Sequence, residues 1–306
     1  MDDRPSLNPK LPDYWSGSEG ALRVGLCQVR TAAWDLEGNT ERALAAIREA
    51  SDAGADLAIT PECVFHGYGM LDDEHDLEAA LEAAEPLDGA RISSVRELAD
   101  RLELSVLLGF AEATADGRIC NAAALIGPDG ELLSVYRKVH LRDFEDAAAE
   151  GYFSAGNEFS VTPVEVRGMS VPIGTMICFD RELPEAVRVL RALGAWFVPC
   201  PLATNTERLD GTAGYANDEL ITQARAAENE LFVAVVNHAG RFNGGTFLGG
   251  PGGEVVVQLG SEEEVRVVEI PVAAVPALQA DPVSWKAWEF RRPEVYGRYL
   301  DAGSGQ

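Results

Sequence analysis

Short, continuous apolar runs alternate along the chain with stretches whose apolar positions recur every three or four residues. Such a pattern predicts buried strands separated by amphipathic helices. Leu22 to Val29 reads as the first strand, and Thr40 to Ala53 as a helix with Asn39 as N-cap and Gly54 as its stop. Ala55 to Thr60 is a buried strand, Glu74 to Glu85 and Ile92 to Leu102 are helices, and Leu104 to Phe110 is a strand. A hairpin follows, Asn121 to Ile126 and Glu131 to Tyr136, around a Pro128-Asp129-Gly130 turn. Asp143 to Glu150 reads as a short helix ending at Gly151. Beyond it come strands over Phe159 to Val166 and Val171 to Ile177, then a helix from Pro184 to Leu193 with proline in its first turn. Trp196 to Pro199 is strand-like, Tyr215 to Glu228 helical, and Leu231 to Val236 a strand. A second hairpin, Thr246 to Gly249 and Glu254 to Leu259, turns at Pro251-Gly252-Gly253.

The two hairpins share a Gly-Pro-x-Gly-Glu turn, at Gly127 to Glu131 and Gly250 to Glu254, and each follows strands and helices in similar order. The chain therefore reads as two pseudo-repeated halves. No Ser/Gly-rich linker separates them, so residues 21–280 are expected to form one α/β domain. Met1 to Gly20, polar and carrying Pro5, Pro9 and Pro12, reads as a flexible arm without the apolar core of a signal peptide. Residues 281–306 set Trp285, Trp288, Tyr296 and Tyr299 among charges, an aromatic tail expected to pack at a subunit interface.

Composition narrows the function. With 46% hydrophobic residues the 306-residue chain can bury a large core, and its net charge of −25 disfavours nucleic acid and anionic membranes as partners. No run reaches the roughly 18 apolar residues of a membrane span. Cys27, Cys63, Cys120, Cys178 and Cys200 are odd in number and widely spaced, so neither a disulfide framework nor a zinc cluster is expected; the cytoplasm is the natural compartment. Of the 25 basic residues only Lys10, Lys138 and Lys286 are lysines, which makes a lysine beside an apolar strand notable.

Three ionisable residues close apolar runs. Glu62 follows Ala55 to Pro61, Lys138 follows Glu131 to Arg137, and Cys178 follows Val171 to Ile177. Cys178 leads into Phe179-Asp180-Arg181-Glu182-Leu183-Pro184, the mouth of a helix, where unpaired N–H groups and the helix dipole favour a thiolate. A carboxylate, an ammonium and a thiol at three strand ends make a candidate site for attack on an amide. His66, His75, His140 and His238 leave a Cys–His hydrolase as an alternative, with His140 on the same strand face as Lys138. Tyr68 and Asn205 are candidates to line a substrate pocket. Arg181 either meets an anionic substrate end or pairs with Glu182 or Glu185.

Thr60-Pro61-Glu62, Tyr136-Arg137-Lys138-Val139-His140-Leu141 and Ile177-Cys178-Phe179-Asp180-Arg181-Glu182-Leu183-Pro184-Glu185 together resemble the nitrilase, or carbon–nitrogen hydrolase, superfamily. The later segments Ala224 to Asn229, Asn237 to Gly240 and Arg292 to Tyr296 are similar to its pattern too. The resemblance implies a four-layer α-β-β-α sandwich that associates as a homodimer or larger homo-oligomer. It implies a Glu-Lys-Cys triad: Cys178 the nucleophile, Glu62 the general base and acid, and Lys138, with the Phe179 N–H, the oxyanion stabiliser. A second glutamate is expected before Phe153-Ser154-Ala155-Gly156, with Glu150 preferred, Glu145 as alternative, and Ala155 where the family usually has proline. No metal or organic cofactor is implied. Cys178-Phe179-Asp180, where nitrilases carry Cys-Trp-Glu, argues against a nitrile. The expected reaction is hydrolysis of a small linear carboxamide to carboxylate and ammonia through a thioester. The alternatives are an N-carbamoyl amine or amino acid hydrolase, and a non-catalytic binding or assembly member.

Overall fold

The computed structural model describes residues 20–69, 77–149, 151–205, 217–240, 242, 244–280 and 288–300. In chain order the strands and helices are β1 (Leu22–Gln28), α1 (Leu36–Asp52), β2 (Leu57–Ile59), α2 (Leu77–Ala83), α3 (Ala90–Leu102), β3 (Ser105–Ala113), β4 (Ile119–Ile126) and β5 (Leu132–Arg137). Then come β6 (Val161–Val166), β7 (Met169–Gly174), α4 (Pro184–Ala192), β8 (Phe197–Pro201), α5 (Asn217–Asn229) and β9 (Phe232–Val236). The last are β10 (Phe247–Gly249), β11 (Val255–Gln258), β12 (Glu264–Ile270), α6 (Val275–Ala280) and α7 (Pro293–Leu300).

The strands form two six-stranded mixed sheets, ordered β12-β1-β2-β3-β4-β5 and β11-β10-β9-β8-β7-β6. Each has a parallel trio, β1-β2-β3 or β7-β8-β9, followed by an antiparallel pair and flanked on the other side by one antiparallel strand. The halves thus repeat one plan. Between the sheets lie Leu26, Ile59 and Leu107 from one side and Val171, Phe197 and Phe232 from the other. On the outer face of the first sheet Val106 and Leu108 meet Ile47 of α1 and Val95 of α3, while α4 and α5 bring Val187, Leu190 and Ala226 against the second. Neighbouring residues of β3 enter different cores because side chains alternate across a strand. With both faces covered, central strands such as β8 and β9 read as unbroken apolar runs, and the result is the expected four-layer α-β-β-α sandwich.

Several local readings are corrected. Helix α1 starts at Leu36, capped by Asp35, whose carboxylate accepts from the Gly38 N–H at 3.1 Å. Asn39 lies inside the helix, buried, where it holds Ala32 and donates to the Phe65 carbonyl at 3.0 Å. Strand β7 stops at Gly174, short of Ile177, and Met176 donates instead to Pro199 of β8. Residues 143–149 form turns, not a helix, because the Glu145 carbonyl accepts from Phe153 N–H rather than from the next helical turn. Strand β12, unmarked in the sequence, runs antiparallel along the whole of β1, from Leu22 opposite Ile270 to Gln28 opposite Glu264.

The expected arm lies outside the described residues up to position 19, and so does Trp285 of the tail. Trp288 packs between Arg191 of α4, 4.7 Å from its ring centre, and Arg291. Among the described residues no helix is long and apolar enough to cross a membrane.

Candidate active site

Glu62 stands in a turn three residues past the end of β2. The turn carries two positive φ angles outside glycine, Cys63 at 47° and Tyr68 at 51°, conformations that cost about 1–3 kcal/mol each and persist where the surroundings impose them. The surroundings here are specific. His238 Nε2 donates to the Glu62 carbonyl at 2.7 Å, its other ring nitrogen lying 2.7 Å from Thr31 Oγ1. Gly109 of β3 lets the turn lie flat on the sheet: a Cβ there would fall 2.3 Å from the Pro61 carbonyl oxygen.

Lys138 extends β5 by one residue, and its N–H donates to the Asn121 carbonyl at 2.8 Å, so the hairpin sets the two side by side. Lys138 Nζ donates to Glu62 Oε1 at 2.9 Å and to Glu145 Oε1 at 2.6 Å, with all three side chains at most 1% exposed. The Asn121 amide donates to Glu62 Oε1 at 2.7 Å and lies 3.4 Å from Glu145 Oε1. Glu145 is saturated: Oε1 also accepts from the Tyr68 hydroxyl at 2.7 Å, and Oε2 accepts from the Arg142 N–H at 2.9 Å. Glu62 is not. Its Oε2 is buried with no hydrogen-bond partner among the described residues. A carboxylate oxygen left bare in a buried site can accept a proton from a nearby donor.

The second glutamate on Lys138 is Glu145, the reserve candidate; Glu150, the preferred one, lies outside the described residues.

Cys178 opens a 3-10 turn, Cys178–Glu182, with φ at +43°. Asp180, fully buried, holds that turn: it accepts from the Ile177 N–H (3.0 Å), the Tyr136 hydroxyl (2.7 Å) and the His140 N–H (2.9 Å), and the His140 ring lies at 2.8 Å. Tyr136 and His140 flank Lys138 at two-residue spacing, so one carboxylate ties the thiol's turn to the strand end that carries the ammonium. The role of His140 in the geometry is this tether. All five cysteines are free, and Cys178 alone is partly exposed.

Electrostatics follow from burial around one cation. Burial and Glu145 push the Glu62 carboxyl up, against the pull of Lys138 and Asn121. Burial alone would pull the Lys138 ammonium down, but Glu62, Glu145 and Cys178 outweigh it and its net shift is upward. Burial and Glu62 drive the Cys178 thiol well above its usual value despite Lys138. This works against the thiolate that the sequence favours. Cys178 sits on a single 3-10 turn, with α4 starting only at Pro184. The site therefore sets a thiol pushed up by burial beside a carboxylate of raised proton affinity, with an ammonium between two glutamates.

With this geometry in view, the comparisons with known proteins decide the family. A profile described as Carbon-nitrogen hydrolase matches residues 23–280. The chain belongs to the carbon–nitrogen hydrolase family. This hydrolase is 34% identical over 267 residues to an (R)-stereoselective amidase of a Pseudomonas species, covering 85% of this chain and 89% of the relative. It is 34% identical over 251 residues to a Pseudomonas protegens protein described as a hydrolase in the pqqF 5' region, covering 80% and 81%. An amidase variant from Nesterenkonia sp. AN1, solved with the acetamide moiety of fluoroacetamide added covalently at its active-site cysteine, superposes with a TM-score of 0.72. It is 26% identical, with 93% of this chain and 98% of that one covered. The enzyme thus acts on carbon–nitrogen bonds other than peptide bonds.

The remaining sequence candidates fall around the hydrolase's site in different ways. Tyr68, buried, anchors Glu145. The Phe179 ring, next to Cys178, lies under the Arg142 guanidinium at 4.7 Å. Arg181 is buried, with Nη1 3.4 Å from Thr222 Oγ1 of α5, and Glu182 instead lies 3.7 Å from Arg142. Asn205 is exposed at the end of the described segment after β8. Asn121 and Asp180 were not recognised as site residues from the sequence. The available signal for Asn121 is its isolation, a lone amide in a strand otherwise apolar and buried throughout, which requires a buried partner.

Proposed function

We propose that the enzyme is an amidase that hydrolyses a small linear carboxamide to carboxylate and ammonia through a Cys178 thioester. The observation that carries this reading is the contrast across Lys138: a saturated Glu145 on one side, and on the other Glu62 with Oε2 unpaired. Glu62 takes the Cys178 proton as sulfur bonds to the carbonyl carbon. Lys138 and the Phe179 N–H stabilise the tetrahedral oxyanion. Collapse breaks the C–N bond, and Glu62 hands its proton to the departing ammonia. Water then attacks the thioester with Glu62 as base, and the C–S bond breaks to release the acid and restore the thiol. Glu145 holds Lys138 charged and in place. The covalent adduct at the cysteine of the Nesterenkonia amidase, and the amidase among the Pseudomonas relatives, support the same assignment. The proposal includes a cytoplasmic setting, which suits five free thiols, and a homodimer or larger homo-oligomer.

The test is ammonia release from a panel of carboxamides, N-carbamoyl compounds and nitriles, with carbon dioxide followed in parallel to mark carbamoyl cleavage. Carboxamides are expected to respond, and Cys178→Ala to lose at least about a thousandfold. Ammonia release that survives in Cys178→Ala would remove the nucleophile assignment.

A further inference from the structure

Tyr152 carries a second bare polar atom beside this site. It is 93% buried by its 7% exposure, and its hydroxyl has no hydrogen-bond partner among the described residues. The backbone explains its position. The loop after Lys138 closes on itself through Phe153 N–H to the Glu145 carbonyl and Ala147 N–H to the Phe153 carbonyl, both at 2.8 Å, and Phe153 also bridges to Ile119 of β4. Tyr152 is thereby fixed next to the segment that supplies Glu145. It packs in an apolar cluster with Cys63, Tyr68, Phe153, Ala203 and Phe242, and the Ala203 backbone in turn reaches the Cys178 thiol. Burial, then Cys63 and Glu145, push the Tyr152 phenol upward, so it stays a neutral hydroxyl at any working pH.

A buried hydroxyl without a partner is destabilising relative to a paired one, and a phenylalanine would fill the same space without that cost. From this we infer that Tyr152 is a specificity-determining residue whose hydroxyl pairs with a neutral hydrogen-bonding group on the acyl part of the substrate. The inference rests on the amidase reading: when ammonia is the leaving group, every further substrate group belongs to the acyl side. A neutral group is specified because two carboxylates share one ammonium close by, and a third negative charge would be repelled.

The experiment compares 2-hydroxypropanamide with 2-methylpropanamide, which differ by a hydroxyl in place of a methyl, in wild type and Tyr152→Phe. The wild-type preference in kcat/KM for the hydroxy amide is expected to fall roughly tenfold or more in the variant. The melting temperature of Tyr152→Phe without substrate is expected to equal or exceed that of wild type, since no bond within the protein is lost. An unchanged preference overturns the inference, as does a clear fall in melting temperature, which would mean the hydroxyl is already satisfied. Wild type that releases ammonia from neither these nor any other amide overturns the amidase reading and the inference together.

Discussion

Lys138 Nζ lies between Glu62 Oε1 at 2.9 Å and Glu145 Oε1 at 2.6 Å, yet the two carboxylates are chemically unlike. Glu145 spends both oxygens on Lys138, Tyr68 and the Arg142 backbone, whereas Glu62 keeps one oxygen bare. Asn121 adds to the difference by donating to Glu62 Oε1 rather than to Oε2. The same bond favours the ionised form and so holds down a proton affinity that burial and Glu145 raise. The acid limb of kcat/KM is accordingly expected above the usual carboxylate range. In Asn121→Leu, which removes a donor to the charged form, it should move to still higher pH. A pH profile whose acid limb stays in place or moves down in that variant would count against Glu62 as the base. Glu62, Lys138 and Cys178 were legible in the sequence because each is a chemically capable residue at the end of an apolar run. The contact of Glu145 with Lys138 was not, since it depends on a loop closed by backbone bonds to Phe153.

At the scale of elements, the strand ends are precise because neighbouring strands leave them room. Gly109 in the middle of β3 permits the Glu62 turn to touch the sheet, with Val64 N–H bonded to its carbonyl at 2.9 Å and its own N–H to Thr60 Oγ1 at 3.0 Å. Gly109→Ala would force a Cβ against the Pro61 carbonyl. It is expected to cost about 1–3 kcal/mol of stability and to lower kcat by more than tenfold, because the backbone carrying Glu62 must shift. Urea denaturation together with ammonia release checks this. A variant as stable and as active as wild type would show that the turn yields without consequence. Element boundaries followed the same logic. Runs buried on both faces, such as Val106 to Ala111 of β3 and Ala122 to Ile126 of β4, were visible as uninterrupted apolar sequence. Strand β12 was not, because it is an edge strand whose Glu264, Arg266 and Glu269 break the apolar pattern, and its stability comes from pairing with β1.

For the whole molecule, the net charge of −25 is spread over a fold of two halves. Self-repulsion of that size opposes compaction and is screened by salt, so the melting temperature should rise between low and moderate ionic strength. A melting temperature that is flat or falling over that range would mean local ion pairs outweigh the net field. The repeated Gly-Pro-x-Gly-Glu turns recur in corresponding hairpins, β4-β5 and β10-β11, of two sheets built to one plan. By itself the sequence determined the alternation of buried strands and helices and the chemical identity of a carboxylate, an ammonium and a thiol. These are local properties, carried by residue type and short-range periodicity. Only the tertiary structure decided that β12 crosses back to β1, that Asn121 and Glu145 join Glu62 at one cation, and that burial pushes the Cys178 thiol up. Those outcomes depend on residues far apart in the chain meeting in a space from which water is excluded, where burial and three neighbouring charges set the proton's place.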